Sequence, residues 1–138
     1  MTIISRIKQL RLPYGQYVVV GSGTLDALGI RQAADIDIAV LPALHTALRA
    51  TGEWDEDERY GEIFLKREDV EILPRLDWDA YPTTTAAAIA SALVIDGVPF
   101  MNLDELPTFK AALGRDKDLA DIALIDAYQT RTRQLQRP

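Results

Sequence analysis

The sequence has no cysteine and only one histidine, His45, among its 138 residues. Without cysteine the chain can form no disulfide, no thiolate metal site and no cysteine nucleophile. A single histidine excludes a metal site built from several histidines of one chain, and it argues against a Ser-His-Asp triad. A bound metal ion would therefore have oxygen ligands, which favours Mg²⁺ or Mn²⁺.

Long apolar runs and a secretory pattern are also absent. No apolar stretch approaches the ~20 residues that a membrane-spanning helix needs. Arg6, Lys8 and Arg11 interrupt the apolar positions near the N-terminus, so a secretory signal is not expected. We therefore expect a cytoplasmic protein that does not enter a membrane. The length predicts one domain over residues 1–138.

Basic residues are outnumbered, and the net charge is −6. The excess lies in one segment, because eleven acids and four bases between Thr51 and Ala80 give it −7, whereas the rest of the chain carries +1. A broad basic surface for nucleic acid is therefore not predicted. A small basic site near the C-terminal end stays open, and its residues are Lys110, Arg115, Lys117, Arg131, Arg133 and Arg137.

Apolar patterning predicts alternating helices and strands. Strands are expected at 16–20, 35–41, 62–66, 70–73, 94–95 and 98–100. Helices are expected at 2–12, 24–30, 42–51, 83–92, 103–113 and from 118 to about 133. The acidic run 55–58 is expected to be a solvated loop. This order predicts an α/β (α+β) fold, a mixed β-sheet flanked by helices.

A glycine-rich turn, Gly21-Ser22-Gly23, follows the first predicted strand and precedes a helix. Glycine lets the backbone approach a ligand, and a helix start offers free N–H groups and partial positive charge that suit phosphate. The Ser22 hydroxyl adds a polar group. The same tripeptide is also typical of an ordinary turn.

Two aspartates lie two residues apart on the second predicted strand. Asp35 and Asp37 point to one face because side chains alternate along a strand, while Ile36 and Ile38 point to the core. Adjacent carboxylates repel each other, and a cation between them would relieve the repulsion. A solvated strand face is the alternative, although the apolar residues that follow predict an internal strand.

A third acid, Glu71, lies between Val70 and Ile72 on another predicted strand. If that strand is next to the strand of Asp37, Glu71 completes a cluster of three carboxylates. Asp69 lies on the same face by parity and is the rival third ligand. Exposure of Glu71 on an edge strand is the alternative.

Together these features predict a two-metal site for phosphoryl transfer. Two Mg²⁺ ions about 3.5–4 Å apart need several carboxylate oxygens held rigidly. One ion would lower the pKa of the attacking hydroxyl, and the other would hold the triphosphate and the leaving pyrophosphate. The glycine-rich turn would hold the β- and γ-phosphates, so that positioning and charge neutralisation provide the catalysis.

The order of Gly21-Ser22, Asp35-Ile36-Asp37 and Glu71 resembles the DNA polymerase β-type nucleotidyltransferase superfamily over residues 17–72. The stretch 109–122, FKAALGRDKDLADI, is similar to the Lys…Arg…Lys/Arg-Asp-x-x-Asp stretch of AbiEii-type nucleotidyltransferases, a group that includes toxins of toxin–antitoxin pairs. The resemblance implies transfer of NMP from an NTP to an acceptor hydroxyl with release of pyrophosphate. It also implies Mg²⁺ or Mn²⁺ held by Asp35, Asp37 and Glu71.

For the second stretch, the resemblance implies that Lys110 contacts the triphosphate and that Arg115 and Lys117 are auxiliary phosphate contacts. Asp118 or Asp121 would support the site or act as a base. The residues alone also fit ordinary helix ends, with Lys110 near a C-terminus and Asp118 as an N-cap or first-turn acid.

Two departures from the family affect the acceptor and the site. The third acid is Glu rather than the commoner Asp, and 138 residues leave little room for the helical region that binds the acceptor in many family members. The acceptor could be a tRNA end, a partner protein or a small hydroxylated molecule. A homodimer or a toxin or antitoxin partner could help to hold it. The alternative function is an inactive module of the same fold that binds nucleotide or a partner.

Overall fold

The computed structural model describes residues 2–135, which form seven strands and six helices. The strands are β1 (Tyr17–Val20), β2 (Ile36–Val40), β3 (Asp55–Arg59), β4 (Glu62–Arg67), β5 (Val70–Leu73), β6 (Leu93–Ile95) and β7 (Val98–Phe100). The helices are α1 (Ile3–Gln9), α2 (Gly23–Ala27), α3 (Pro42–Ala50), α4 (Thr85–Ala90), α5 (Leu106–Leu113) and α6 (Asp116–Leu135). None of the helices within residues 2–135 is long and apolar enough to cross a membrane.

The strands form one mixed sheet in the order β3-β4-β5-β2-β1-β7-β6. β2 runs parallel to β5 and β1 runs parallel to β7, while the other neighbouring pairs are antiparallel. All four residues of β1 are buried, as the β-branched run predicts for a central strand. The predicted α/β (α+β) class with a mixed sheet flanked by helices is thus confirmed.

The sheet separates two apolar cores, because successive residues of its central strands point to opposite faces. The first core contains Val19, Ile36 and Ile38 together with α1 and α3 residues such as Ile7 and Leu44. The second core lies on the opposite face and includes Val18, Val20, Ala39, Phe109 of α5 and Ile125 of α6. Asp37 lies two residues before Ala39 on β2, so its side chain points to the face of the second core.

The acidic run is a strand and not the expected solvated loop. It forms most of β3, which pairs antiparallel with β4 at the edge of the sheet, and its four acids are all exposed. Tyr60 and Gly61 make a two-residue hairpin turn in which both φ angles are positive, at 56° and 74°. Backbone pairing thus coexists with solvated side chains, and a charged edge opposes pairing with another chain.

The last helix also differs from expectation. α6 begins at Asp116 rather than 118, and its buried residues are Asp118, Asp121 and Ile125. The roughly helical spacing of Leu119, Ile122, Ala123 and Ile125 predicts that these residues face the core, but Leu119 is 54% exposed. The helix buries its acidic stripe because that stripe pairs with the buried Lys110 and with the partly exposed Arg31 and Arg115. Apart from β3, the predicted element bounds differ from the observed ones by at most three residues.

Gly23 provides a test of the packing between α2 and the sheet. A Cβ at this position would lie 2.4 Å from Cγ1 of Val19, which is itself fully buried. We expect Gly23→Ala to lower the free energy of unfolding by about 1–3 kcal/mol, because the β-branched neighbour cannot rotate away. Urea unfolding followed by circular dichroism measures this.

The control is the double variant Val19→Ala/Gly23→Ala, in which the clashing methyl group is removed. Its loss of stability should be smaller than the sum of the two single losses, since the two changes share one space. Additive losses would show that the contact between these residues does not limit the packing.

Candidate functional site

The site forms where β2 and β5 pair in parallel. Their register places Asp37 directly beside Glu71, and Ile36 and Ile38 beside Val70 and Ile72. The two carboxylates therefore extend from the same face of the sheet, as the sequence predicts if the strands are neighbours. Asp35 is exposed in the bend immediately before β2.

The glycine-rich turn lies against Asp37. Gly21 follows β1 with a φ of 67°, and a Cβ on it would lie 3.2 Å from Oδ2 of Asp37. Any larger residue would combine backbone strain with crowding of the carboxylate. The helix that follows, α2, has only five residues, so the helix-dipole part of the sequence prediction has little support.

Asp37 is the electrostatic centre of the site. Burial, which is the largest cause, and the negative charges of Glu71 and Asp35 together raise its pKa to about 6. The positive charges of Arg115 and Lys110 oppose the rise. An acid of β5, an acid of the bend before β2 and bases of the α5–α6 region thus act on one carboxylate.

Asp69, the rival third ligand, does not join this pair. It lies in the turn between β4 and β5, and its carboxylate accepts a hydrogen bond from Arg6 of α1. That hydrogen bond holds the pKa of Asp69 below its usual range. Because α1 packs in the first core, the structure directs Asp69 away from Asp37 and leaves Glu71 as the neighbouring acid.

Glu71 itself contacts a base that the sequence argument missed. Nη2 of Arg59 lies 2.7 Å from its Oε2. Arg59 is the last residue of β3, and its guanidinium stacks 4.0 Å from the ring centroid of Phe64. No sequence pattern indicated this residue, since the contact requires the hairpin that the acidic run was not expected to form.

The second predicted stretch forms a buried network of ion pairs at the junction of α5 and α6. Lys110, only 2% exposed, donates a hydrogen bond of 2.8 Å to Asp121, and its Nζ is 3.7 Å from Asp118. Arg115 donates to Asp118 from Nε at 2.6 Å and from Nη2 at 3.1 Å. Asp118 also accepts the backbone N–H of Arg115, in the manner of a capping box.

Arg31 connects this network to the glycine-rich turn and is a further residue that the sequence argument missed. It donates two hydrogen bonds to Asp121, at 2.7 and 2.6 Å, and a third, at 2.6 Å, to Oγ of Ser22. The Ser22 side chain makes no capping bond to its own helix. In the sequence, the one feature that distinguishes Arg31 is that no other basic residue lies between the glycine-rich turn and Asp35.

The two acids of the network stay ionised. Burial alone would raise the pKa of Asp118, but hydrogen bonds from Arg115 bring it below its usual range. Asp121 follows the same rule, because Arg31 and Lys110 outweigh its desolvation and lower its pKa. Buried charges of both signs are thus compensated within the network.

The structure does not bring every predicted basic residue to the site. Lys117 is exposed in the first turn of α6, and within residues 2–135 no ion pair or hydrogen bond joins it to the network. Arg131 and Arg133 are exposed in the C-terminal half of α6. Arg137 lies outside the described residues.

A separate groove of about 830 Å³, lined by α1 and α2 residues such as Arg6 and Asp26, contains none of the predicted site residues.

The donor chemistry of Asp35, Asp37 and Glu71 fits a divalent cation. Their oxygens are hard ligands, and the mutual repulsion that contributes to the raised pKa of Asp37 would be relieved by such an ion. In the described part of the chain, however, no three acidic or histidine side chains are spaced to hold a metal ion. Glu71 is instead oriented toward Arg59.

Comparisons with known proteins add no relative. No family model matches the chain, and neither a curated protein nor a solved structure matches it.

Because the pKa of Asp37 is raised, its ionisation is expected to lower the free energy of unfolding in a pH-dependent way. Between pH 3.8 and about 6 the folded state binds more protons than the unfolded state, so stability falls as pH rises through this window. The pKa difference corresponds to on the order of 3 kcal/mol. Asp37→Asn should therefore be more stable than the parent chain at neutral pH in EDTA, with a smaller gain at acidic pH.

Urea unfolding at a series of pH values measures the gain. Asp126→Asn, which changes an exposed aspartate of α6, is the matched control and should show no such trend. A gain for Asp37→Asn that is the same across the whole window would contradict the assigned pKa.

Arg31 should contribute more to stability than an exposed arginine with a similar bond pattern. Arg31→Gln leaves the buried Asp121 with fewer donors, and we expect a loss of about 1–3 kcal/mol in the free energy of unfolding. Arg49 also donates two side-chain hydrogen bonds to one carboxylate, that of Glu56, but this pair is exposed. Arg49→Gln should cost less than about 1 kcal/mol. Equal losses in the two variants would show that burial of the network adds nothing to the stabilisation that the arginine provides.

Proposed function

We propose that this chain is a Mg²⁺- or Mn²⁺-dependent nucleotidyltransferase that moves NMP from an NTP to an acceptor hydroxyl and releases pyrophosphate. The observation that carries the proposal is the pairing of Asp37 with Glu71 on neighbouring parallel strands, where the charges of Lys110 and Arg115 act on the same carboxylate. Acids that could hold a cation and bases that could hold phosphate thus meet at one point.

In this proposal Asp35, Asp37 and Glu71 hold the metal. A divalent ion supplies Lewis acidity and neutralises negative charge on the phosphoryl oxygens when it is bound. Gly21 keeps the backbone close to Asp37 without adding a side chain. The Ser22 hydroxyl lies on the same turn and is oriented by the hydrogen bond from Arg31.

The basic residues have different parts in binding the triphosphate. Arg115 is half exposed, so its guanidinium can contact a phosphate while Asp118 orients it. Lys110 is buried against Asp121, so in the proposal it attracts the triphosphate through its charge and does not contact it directly. Lys117 remains an auxiliary contact in the proposal, supported by its place in the first turn of α6 alone.

Asp118 and Asp121 support the site rather than remove a proton. Both carboxylates have a lowered pKa, so they are weak bases near neutral pH. Each also accepts hydrogen bonds from a cation of the site, Arg115 for Asp118 and Lys110 for Asp121. Their proposed work is to fix the positions and charges of those cations.

The acceptor is proposed only as a hydroxyl group on a tRNA end, a partner protein or a small hydroxylated molecule. The resemblance to AbiEii-type enzymes extends the proposal to a toxin–antitoxin pair, in which the second chain is acceptor or inhibitor. The exposed acids of β3 do not favour a long nucleic-acid acceptor bound by this chain alone.

The decisive experiment measures transfer from labelled nucleotides. The protein is incubated with each NTP labelled at the α-phosphate, with Mg²⁺ or Mn²⁺, and with total tRNA, the proteins of a neighbouring reading frame or hydroxylated small molecules. We expect label in one acceptor and none when the label is on the γ-phosphate. Asp37→Asn should reduce transfer at least about 100-fold, which is the size of effect seen when one electrostatic group of a catalytic site is removed.

Asp126→Asn controls for the loss of a negative charge and should retain full transfer. Circular dichroism and urea unfolding establish that Asp37→Asn is folded. Equal transfer by Asp37→Asn and the parent chain would overturn the assignment of Asp37.

A binding module without turnover is the second candidate, and one observation favours it. Glu71 and Lys110 already have protein partners, Arg59 and Asp121, so the site is neutralised internally. A metal-dependent rise in melting temperature with an NTP, without any product, would support this candidate. Absence of a shift with every NTP would favour a protein that only binds a partner.

A further inference from the structure

The ion pair between Arg59 and Glu71 joins two parts of the molecule that are otherwise separated by a strand. Glu71 lies on β5, Arg59 ends β3, and β4 lies between them in the sheet. The guanidinium reaches across the Phe64 ring, and its Nη2 lies 2.7 Å from Oε2 of Glu71. A positive charge therefore already occupies one side of the acid that is the register partner of Asp37.

The guanidinium is held incompletely. Its Nε is buried and has no hydrogen-bond partner within residues 2–135, although a carboxylate oxygen of Asp57 lies 2.9 Å away. The ion pair is also accessible to solvent, since the side chains of Arg59 and Glu71 are 38% and 25% exposed. Such a pair gains little over its hydrated partners, so Arg59 can be displaced at small cost.

The segment that carries Arg59 is suited to such a displacement. β3 is an edge strand and pairs only with β4. The adjoining turn is open to solvent, with Tyr60 92% exposed. Elements with few buried apolar contacts have low local stability, so the end of the hairpin can move without disturbing either core.

A guanidinium beside a carboxylate opposes the binding of a divalent ion to the same carboxylate. The two cations repel each other, and Nη2 of Arg59 lies only 2.7 Å from Oε2 of Glu71, one of the two oxygens that a metal ion would bind. The neighbouring acid, Asp37, has no arginine or lysine within ion-pair distance among the described residues. The internal cation is therefore specific to Glu71.

We propose that Arg59 is the resident counter-cation of Glu71, which neutralises this acid in the metal-free protein and competes with a divalent ion for it. This inference rests on the proposed function, because it takes Glu71 as a metal ligand. Arg59 thereby sets how tightly the site binds its ion, and the ion frees the guanidinium when it binds.

The test is direct titration of the full chain with Mn²⁺ alone, with unbound Mn²⁺ measured by its electron paramagnetic resonance signal at about pH 7.5. Arg59→Gln removes the competing charge, and we expect its Kd for Mn²⁺ to fall roughly three- to tenfold, in keeping with loss of a partly exposed ion pair. Arg59→Lys retains the charge and should stay within about twofold of the parent chain. Arg59→Met, which retains packing on Phe64, serves if Arg59→Gln is poorly folded.

Arg75→Gln is the matched control. Nε of Arg75 lies 2.8 Å from Glu62, so this change also removes a cation from a partly exposed arginine–glutamate pair of the same sheet region. Its Kd should stay within about twofold of the parent value, because Glu62 is outside the site. Addition of Asp37→Asn to Arg59→Gln should abolish the gain, which ties the bound ion to this site.

The outcomes separate this inference from the proposed function. Binding of Mn²⁺ that depends on Asp37 but is equal in the parent chain and in Arg59→Gln would overturn the role of Arg59 and leave the metal site in place. Equal tightening in Arg75→Gln would show a general charge effect and would likewise overturn it. Failure of the parent chain and every variant to bind Mn²⁺ would overturn both proposals.

Discussion

Repulsion between acids placed side by side is the constraint on which the arrangement of the site depends. Parallel pairing of β2 with β5 puts Asp37 next to Glu71, and burial adds to the cost of ionising Asp37. The surrounding positive charges offset this cost in part: Arg59 contacts Glu71, while Lys110 and Arg115 act on Asp37 from the α5–α6 junction. Charged residues that are far apart in the chain thus act together on the two acids.

The ion-pair network at the α5–α6 junction holds the glycine-rich turn and α6 together. Asp121 accepts hydrogen bonds from both Arg31 and Lys110, and Arg31 also binds Ser22, so the glycine-rich turn and α6 are fixed relative to each other. A buried network of this kind is costly to assemble and adds little net stability, but it holds charged side chains in one orientation. The pairing of Arg59 with Glu71, by contrast, is solvent-accessible and lies on an edge hairpin.

Much of the fold could be predicted from local pattern, and the misses have identifiable causes. β1 is buried at every position and β2 at every position except Asp37, so their apolar residues predict central strands. β3 was missed because four consecutive acids are typical of a loop, while the backbone pairing that makes it a strand is supplied by β4. On α6 the apolar spacing places Ile125 correctly but Leu119 wrongly, because Asp118 is buried in its stead by its ion pairs with Lys110 and Arg115.

The sequence by itself determined the chemistry available: oxygen ligands without cysteine or multiple histidines, two aspartates two residues apart, and a glycine turn before them. It also determined the α/β class, because hydrophobic periodicity is a local property. Only the tertiary structure decided that Glu71, and not Asp69, adjoins Asp37, and that Arg31 and Arg59 belong to the site. Strand order and long-range ion pairs depend on which distant segments pack together, and no pattern within one segment encodes that choice.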